Sequence, residues 1–324
     1  MIKISTLFIS IFTLFLFMLP GFIVKKAKVA DGEFPKSLSV LTLYITQVAL
    51  ILHSFIIEFN MKIFANLCQV FIGALLIHIL LYIIAKECFK KAPDKTRTVL
   101  QFGLIFSNAG YMGIPVISDV FGADHAIYAT FYVVWFNVFC YSVGRLIYTN
   151  DKKYISFKKA IFNPAVVSVI IGLTIFLTGA GAWIKNVINE PTFIGNFFNI
   201  IYKVLEALKN MVAPVSMMII GARLADINFK GIFKDKYMYP FVLLRLLVLP
   251  AIIWCMLKLF SLAGLLSDIS LAVLLILSST PAATATTMFA ELYNGDSPYA
   301  GKLVALTTIL SVATMPIVAL LLYI

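Results

Sequence analysis

Ten stretches of the chain are apolar nearly throughout, at roughly 5–24, 38–57, 64–85, 99–118, 126–147, 164–183, 208–224, 238–259, 269–289 and 303–323, with short polar stretches between them. A helix rises about 1.5 Å per residue and needs roughly 20 residues to span a hydrocarbon core of about 30 Å. The pattern therefore predicts an all-α polytopic membrane protein with ten crossings, and it leaves no room for a sizeable soluble domain. Lys25, Lys26 and Lys28 follow the first stretch, and no small-x-small cleavage site precedes them. That stretch reads as a retained helix, not a secretory signal.

Composition agrees, with 61% of the 324 residues hydrophobic and 13% charged. The net charge of +11 gains meaning from its placement: nineteen of the 26 Lys and Arg lie in odd-numbered loops. Those loops hold Lys25, Lys26, Lys28 and Lys36, then Lys86, Lys90, Lys91, Lys95 and Arg97, then Arg145, Lys152, Lys153, Lys158 and Lys159. Arg223, Lys230, Lys234 and Lys236 follow, and finally Lys302. The alternate loops are poor, with Lys62, Lys185, Lys203, Lys209 and a bordering Lys258. Positive loops stay in the cytoplasm, so both termini are expected outside a cell membrane crossed many times. The basic excess is topology, and its partner is the lipid bilayer, not a nucleic acid.

Several function classes drop out. The 15 Asp and Glu are scattered, and neither GxxxxGK[ST] nor GxGxxG occurs, so a self-contained ATPase is excluded. Cys68, Cys88, Cys140 and Cys255 stand singly in or beside apolar stretches, as packing residues do, and no metal or cofactor is expected. A membrane enzyme needs clustered aspartates or histidines, or a nucleophile with its base, and none is present.

An internal repeat appears at an offset of 172 residues: Asp119-Val-Phe-Gly-Ala-Asp124 matches Glu291-Leu-Tyr-Asn-Gly-Asp296 in character. The same offset sets Ser107 opposite Ser279, and Asn108–Pro115 opposite Thr280–Thr287. Halves of residues 1–155 and 156–324 carry five crossings each, and an odd count turns the second half upside down. Both matched stretches look like interrupted helices. Gly110, Gly113 and Pro115 crowd the middle of the fourth segment, where Gly and Pro disfavour helix by about 1 and 3 kcal/mol. A break is predicted at 109–114, with Pro115 in the first turn of a second half-helix. In the ninth segment Ser279 or Thr280 is predicted as a helix cap, with Pro281 at the first helical position. Two half-helix N-termini near the mid-membrane suit a carboxylate. A proline kink that serves packing alone is the alternative for each segment, and two at one repeat offset favour a site.

Ser107-Asn-Ala-Gly-Tyr-Met-Gly-Ile-Pro115, Asn163-Pro-Ala-Val-Val-Ser-Val-Ile-Ile-Gly172, Ala213-Pro-Val-Ser-Met-Met-Ile-Ile-Gly-Ala-Arg-Leu224 and Leu244-Arg-Leu-Leu-Val-Leu-Pro250 occur in that order. Together they resemble the auxin efflux carrier family, which includes plant auxin exporters and bacterial permeases assigned to malonate or malate. The resemblance runs to Thr307–Pro316. It implies two inverted five-helix repeats with crossed broken helices four and nine. It also implies an elevator in which helices 3–5 and 8–10 move against a scaffold of helices 1, 2, 6 and 7, with a homodimer through the scaffold. Asn108 matches the family's crossover asparagine, and Pro115 and Pro281 its crossover prolines. The second helix departs from the family pattern, with Val48 where a proline is usual.

The candidate substrate contacts are Asn108, Ala109, Gly110, Gly113, Pro115, Thr280, Pro281, Ala282 and Asn137. Tyr141 and Thr307 are further candidates to face the crossover. Arg245, about 10 Å into the eighth segment, has three readings: it binds carbonyls freed by a broken helix, it binds the substrate's charge, or it snorkels to the interface. His53 and His78 are lone candidates for proton carriage, while Glu58, Asp119 and Glu291 read as interface residues. The expected function is secondary transport of a small organic anion, a mono- or dicarboxylate. The alternatives are a sodium- or proton-coupled symporter of the same fold, a transport-like sensor and a channel. The topology is tested by single-cysteine labelling in a cysteine-free background. An impermeant reagent outside intact cells should leave positions beside Lys26, Lys91, Lys153 and Lys234 unlabelled, and labelling of all four would reverse the orientation.

Overall fold

Polar residues at the edges of the apolar stretches start the helices. In the structure, a computed structural model, the side chains of Asn60, Asn163, Thr192, Ser267 and Asp296 each accept a hydrogen bond from a backbone N–H of the following first turn. Each such bond satisfies a donor with no partner inside its own helix. The structure describes residues 4–151, 153, 155–227 and 235–324. Lys152, Lys230 and Lys234, counted above as loop cations, lie outside the described residues.

In chain order the helices are α1 (Phe8–Lys26), α2 (Phe34–Ser54), α3 (Met61–Glu87), α4 (Asp94–Ile105), α5 (Ala109–Phe121), α6 (Ala126–Thr149) and α7 (Pro164–Leu177). They continue as α8 (Ala180–Val187), α9 (Phe193–Ala225), α10 (Met238–Leu262), α11 (Asp268–Ser279), α12 (Ala285–Leu292) and α13 (Ser297–Tyr323). No named strand occurs among the described residues. Seven helices are long and apolar enough to cross a membrane, and α7 with α8, bent by 78°, makes an eighth if the pair counts as one. The fourth and ninth apolar segments are each a 12-residue helix, α4 or α11, followed after a gap by a second helix, α5 or α12.

The polar pattern predicts the seventh crossing at 208–224, but α9 already begins at Phe193. Lys203, Glu206 and Lys209 lower the hydropathy of that stretch. Ile194, Phe197, Ile201, Val204 and Leu208 nevertheless keep a helical spacing, and Thr192 caps the start. Lys203 and Lys209 therefore ride on a helix and not in a loop.

The helices pack in two neighbourhoods. α1, α2 and α9 lie together with α7 against α2, while α3 packs on α6 and α11, α10 on α11, and α12 on α13. The α1–α9 contact is set by two glycines. A Cβ on Gly221 would stand 1.9 Å from the Met18 carbonyl oxygen, and one on Gly21 would stand 2.1 Å from the Met218 carbonyl oxygen. Such backbone-to-backbone approach is the means by which membrane helices gain contact without a hydrophobic drive. Because the obstacle is main chain, it cannot turn aside. Gly221→Ala should therefore force α1 and α9 apart and cost about 1–3 kcal/mol, read as a lower Tm in detergent. Gly32→Ala, where nothing lies within 4 Å of the added carbon, should leave Tm unchanged. Equal Tm for both variants would rule out this close packing.

Candidate functional site

The fourth segment breaks earlier than its glycines predict. α4 ends at Ile105, Phe106–Asn108 are non-helical, and Ala109–Gly113 form a wide π-helical turn that runs into Ile114–Phe121 with Pro115 in the first α turn. The Asn108 carbonyl accepts from the N–H groups of both Met112 (3.0 Å) and Gly113 (3.1 Å). The glycines thus widen a turn and do not end it. In the ninth segment the expected cap is corrected. α11 runs to Ser279 and α12 starts only at Ala285, so Pro281 is not a first helical residue. The hydroxyls of Ser279 and Thr280 donate back to the carbonyls of Ile276 (2.8 Å) and Leu277 (2.9 Å), closing α11 where they were expected to open the next helix.

The reason is that the two breaks pair with each other. Asn108 N–H donates to the Pro281 carbonyl at 2.8 Å, Ala283 N–H donates to the Phe106 carbonyl at 2.9 Å, and Ser107 and Ala282 form an antiparallel bridge. Residues 281–283 must stay extended to make these bonds. The pairing supplies partners for backbone groups that would otherwise face hydrocarbon unsatisfied. Gly113 lets the segments close up, since a Cβ there would lie 2.5 Å from a Leu277 methyl.

Arg245 completes the joint from a third element. It sits in a π-helical turn, Leu244–Val248, just before Pro250, where a missing N–H makes the regular ladder hard to keep. Its side chain is fully buried, which removes the snorkelling reading. Nη1 donates to the Leu104 carbonyl (3.1 Å), and Nη2 donates to those of Ser278 (3.1 Å) and Thr280 (2.8 Å). Leu104 and Ser278 lie in the last turns of α4 and α11, where carbonyls lack helical partners. One planar fork thus ties both broken helices.

Beside the joint lies a cavity of about 140 Å³. At roughly 10–15 Å³ per water, it has room for a molecule of a few heavy atoms. Its polar wall is Ser39 and Gln47 from α2, Ser107 and Asn108 from the first break, Tyr111 from α5, and Asn137 and Tyr141 from α6. Asn163, Arg223 at the end of α9, and Thr284 complete it. Asn108 and Gln47 are both buried, and Asn108 Nδ2 and Gln47 Oε1 have no hydrogen-bond partner. Two amides with spare capacity on one wall can bind a polar ligand without losing an existing bond. Asn137 is already half engaged, its Nδ2 donating to the Val133 carbonyl at 2.9 Å. The Tyr111 hydroxyl faces Ser39, and the Tyr141 hydroxyl faces Asn163.

Of the residues singled out from sequence, Asn108, Gly110 and Asn137 therefore share this cavity, together with Tyr141. Ala109, Gly113, Thr280, Pro281 and Ala282 form the joint behind it and not its wall. Pro115 lines a separate pocket with Asp119 and Lys209. Thr307 spends its hydroxyl on the Leu303 and Val304 carbonyls of its own helix. His78 is buried with Nδ1 2.7 Å from the Ala74 carbonyl, and His53 packs on Tyr202 beside Lys209. Neither histidine reaches the cavity. Gln47, Tyr111, Asn163, Arg223 and Thr284 are wall residues the sequence reading passed over. Gln47 carried a usable signal, an amide deep in an apolar segment, whereas Arg223 was indistinguishable from a loop cation.

The sequence profile of the family described as membrane transport protein matches residues 6–156 and 149–319, nearly the whole chain. It is the family that the four motifs resemble. No curated protein matches the chain.

The joint generates its own test. Arg245→Lys keeps the charge but loses the planar fork, so at least one charge-assisted bond, on the order of 1.5–3 kcal/mol, disappears. Tm should fall equally with and without added carboxylate. An unchanged Tm would show that the fork does not hold the broken helices.

Proposed function

The chain belongs to the membrane transport protein family, and from that premise we propose that it is a secondary transporter that carries a small organic anion, a mono- or dicarboxylate, by elevator-type alternating access. The observation that carries the reading is the composition of the cavity wall. α2 and α9, together with Asn163 at the start of α7, supply one side, and the break around Asn108, α6 and Thr284 supply the other. A ligand held there touches two helix groups that pack mainly within themselves. In an elevator, one group slides on the other and carries the ligand past a fixed wall.

Counting α4–α5, α7–α8 and α11–α12 as interrupted spans brings the total to ten crossings, five in residues 1–155 and five in 156–324. The equal 12-residue lengths of α4 and α11, each starting at an aspartate, support an inverted repeat. The scaffold is then α1, α2, α7–α8 and α9, and the moving bundle is the remainder. With basic odd-numbered loops in the cytoplasm, both termini lie outside the cell membrane. A negative-inside potential favours exit of an anion by about 2.3 kcal/mol per charge per 100 mV.

Asn108 and Gln47 then contact the substrate's oxygens and polar hydrogens, and Arg245 holds the joint. The test is counterflow in proteoliposomes loaded with acetate, malonate, malate or succinate, with and without sodium and pH gradients. At least one labelled acid should exchange faster than its passive leak, without single-channel conductance. Asn108→Ala should slow that exchange roughly tenfold in protein that still runs as one species. Exchange of no acid in the panel would overturn the anion reading, conductance would make the protein a channel, and strict gradient dependence would make it a coupled symporter.

A further inference from the structure

Arg223 is the one charged side chain on the wall of the central cavity among the described residues. It is also on the wall of a second, larger cavity of about 520 Å³, and Thr284 is shared between the two in the same way. The second cavity is bounded by Lys36 in the first turn of α2, Asp226 just after α9, Glu291 in the last turn of α12 and Lys302 near the start of α13, beside the first, seventh and ninth basic stretches. On the orientation proposed above it opens to the cytoplasm. Arg223 and Thr284 thus mark a neck, with the arginine on α9 and the threonine on the break before α12.

Three features separate this arginine from Arg245. The hydrogen bonds of Arg245 go to main-chain carbonyls of the joint, whereas Arg223 has no ion pair or side-chain hydrogen bond among the described residues. The nearest acid in sequence, Asp226, is 3.5 Å from Lys25 and so is engaged elsewhere. The charge stands in the last turn of α9, where the helix dipole favours a cation without neutralising it. A partly buried guanidinium with free donors is suited to a carboxylate in two-pronged geometry.

We propose that Arg223 is the specificity-determining residue of this transporter: it takes the carboxylate of the substrate at the neck between the two cavities and thereby selects anions over neutral molecules of the same shape. This rests on the anion-transport reading. Because Arg223 belongs to the fixed group and Asn108 and Asn137 to the moving one, the arginine admits the anion and the amides travel with it.

The experiment is competition of counterflow by malonate, malate and succinate, each set against its own diamide, which has the same shape and no charge. Wild-type protein should prefer the acid, and Arg223→Gln should shrink the acid-to-amide preference by on the order of ten- to a hundredfold while the diamide's own affinity stays put. Arg223→Lys should fall between the two. A preference that is unchanged in Arg223→Gln, with transport intact, would overturn the inference and leave the anion reading standing. Wild-type protein that exchanges none of the acids would overturn the anion reading itself. Should Arg223→Gln not fold, the measurement moves to wild-type protein, where saturating malonate should protect Arg223 from phenylglyoxal, read by mass spectrometry of its peptide. Modification at the same rate with and without malonate, malate or succinate would overturn the inference equally.

Discussion

Main chain that leaves the helix inside a membrane must find every hydrogen-bond partner within the protein, and that constraint organises this molecule. Phe106–Asn108 and Pro281–Ala283 solve it by pairing with each other. The carbonyls this leaves at the ends of α4 and α11 are taken up by the guanidinium of Arg245, brought in from α10. Removing any one of the three elements strands polar groups in a place where water cannot repair the loss. The close approach of Gly113 to Leu277 is the steric side of the same requirement.

With its backbone satisfied, the joint can carry polar side chains on its open flank. Asn108 projects from the first break into a cavity whose far wall is α2 and α9, and it meets Gln47 there as a second buried amide with spare capacity. Two arginines, Arg245 and Arg223, stand in different surroundings. Arg245 serves main chain and is fully buried, and Arg223 lies at the neck of the cavity with free donors. A guanidinium spent on holding helices is not available to a ligand.

The helix pair α1–α9 shows how a rigid wall is obtained in a medium that gives no hydrophobic drive between helices. Gly21 and Gly221 each seat against the backbone of the opposite helix, so the contact is fixed by main-chain geometry and not by interchangeable side chains. In the proposed elevator this pair is part of the stationary group, and Arg223 lies one residue beyond Ala222 on the same helix. The position of Arg223 is therefore fixed by the close packing of α1 on α9.

Much of the architecture was legible from hydropathy alone, because a crossing requires about 20 apolar residues and that requirement is local. The family, the apolar segments, the interruption of the fourth and ninth of them, and the unusual position of Arg245 all follow from residue type and order. The tertiary structure decided which residues face each other. Pro281 looked like a helix start because proline suits a first turn, yet pairing with the non-helical stretch at 106–108 holds residues 281–283 extended. The helix of Phe193–Ala225 was missed at its start because lysines at 203 and 209 mask a helical spacing that only packing against α2 makes plain. Gln47, Asn163 and Arg223 come from three different helices, and no local pattern can announce that their side chains line one cavity. Segment identity is written in neighbouring residues, whereas a binding wall is written in contacts between residues far apart in the chain, and those exist only once the helices are packed.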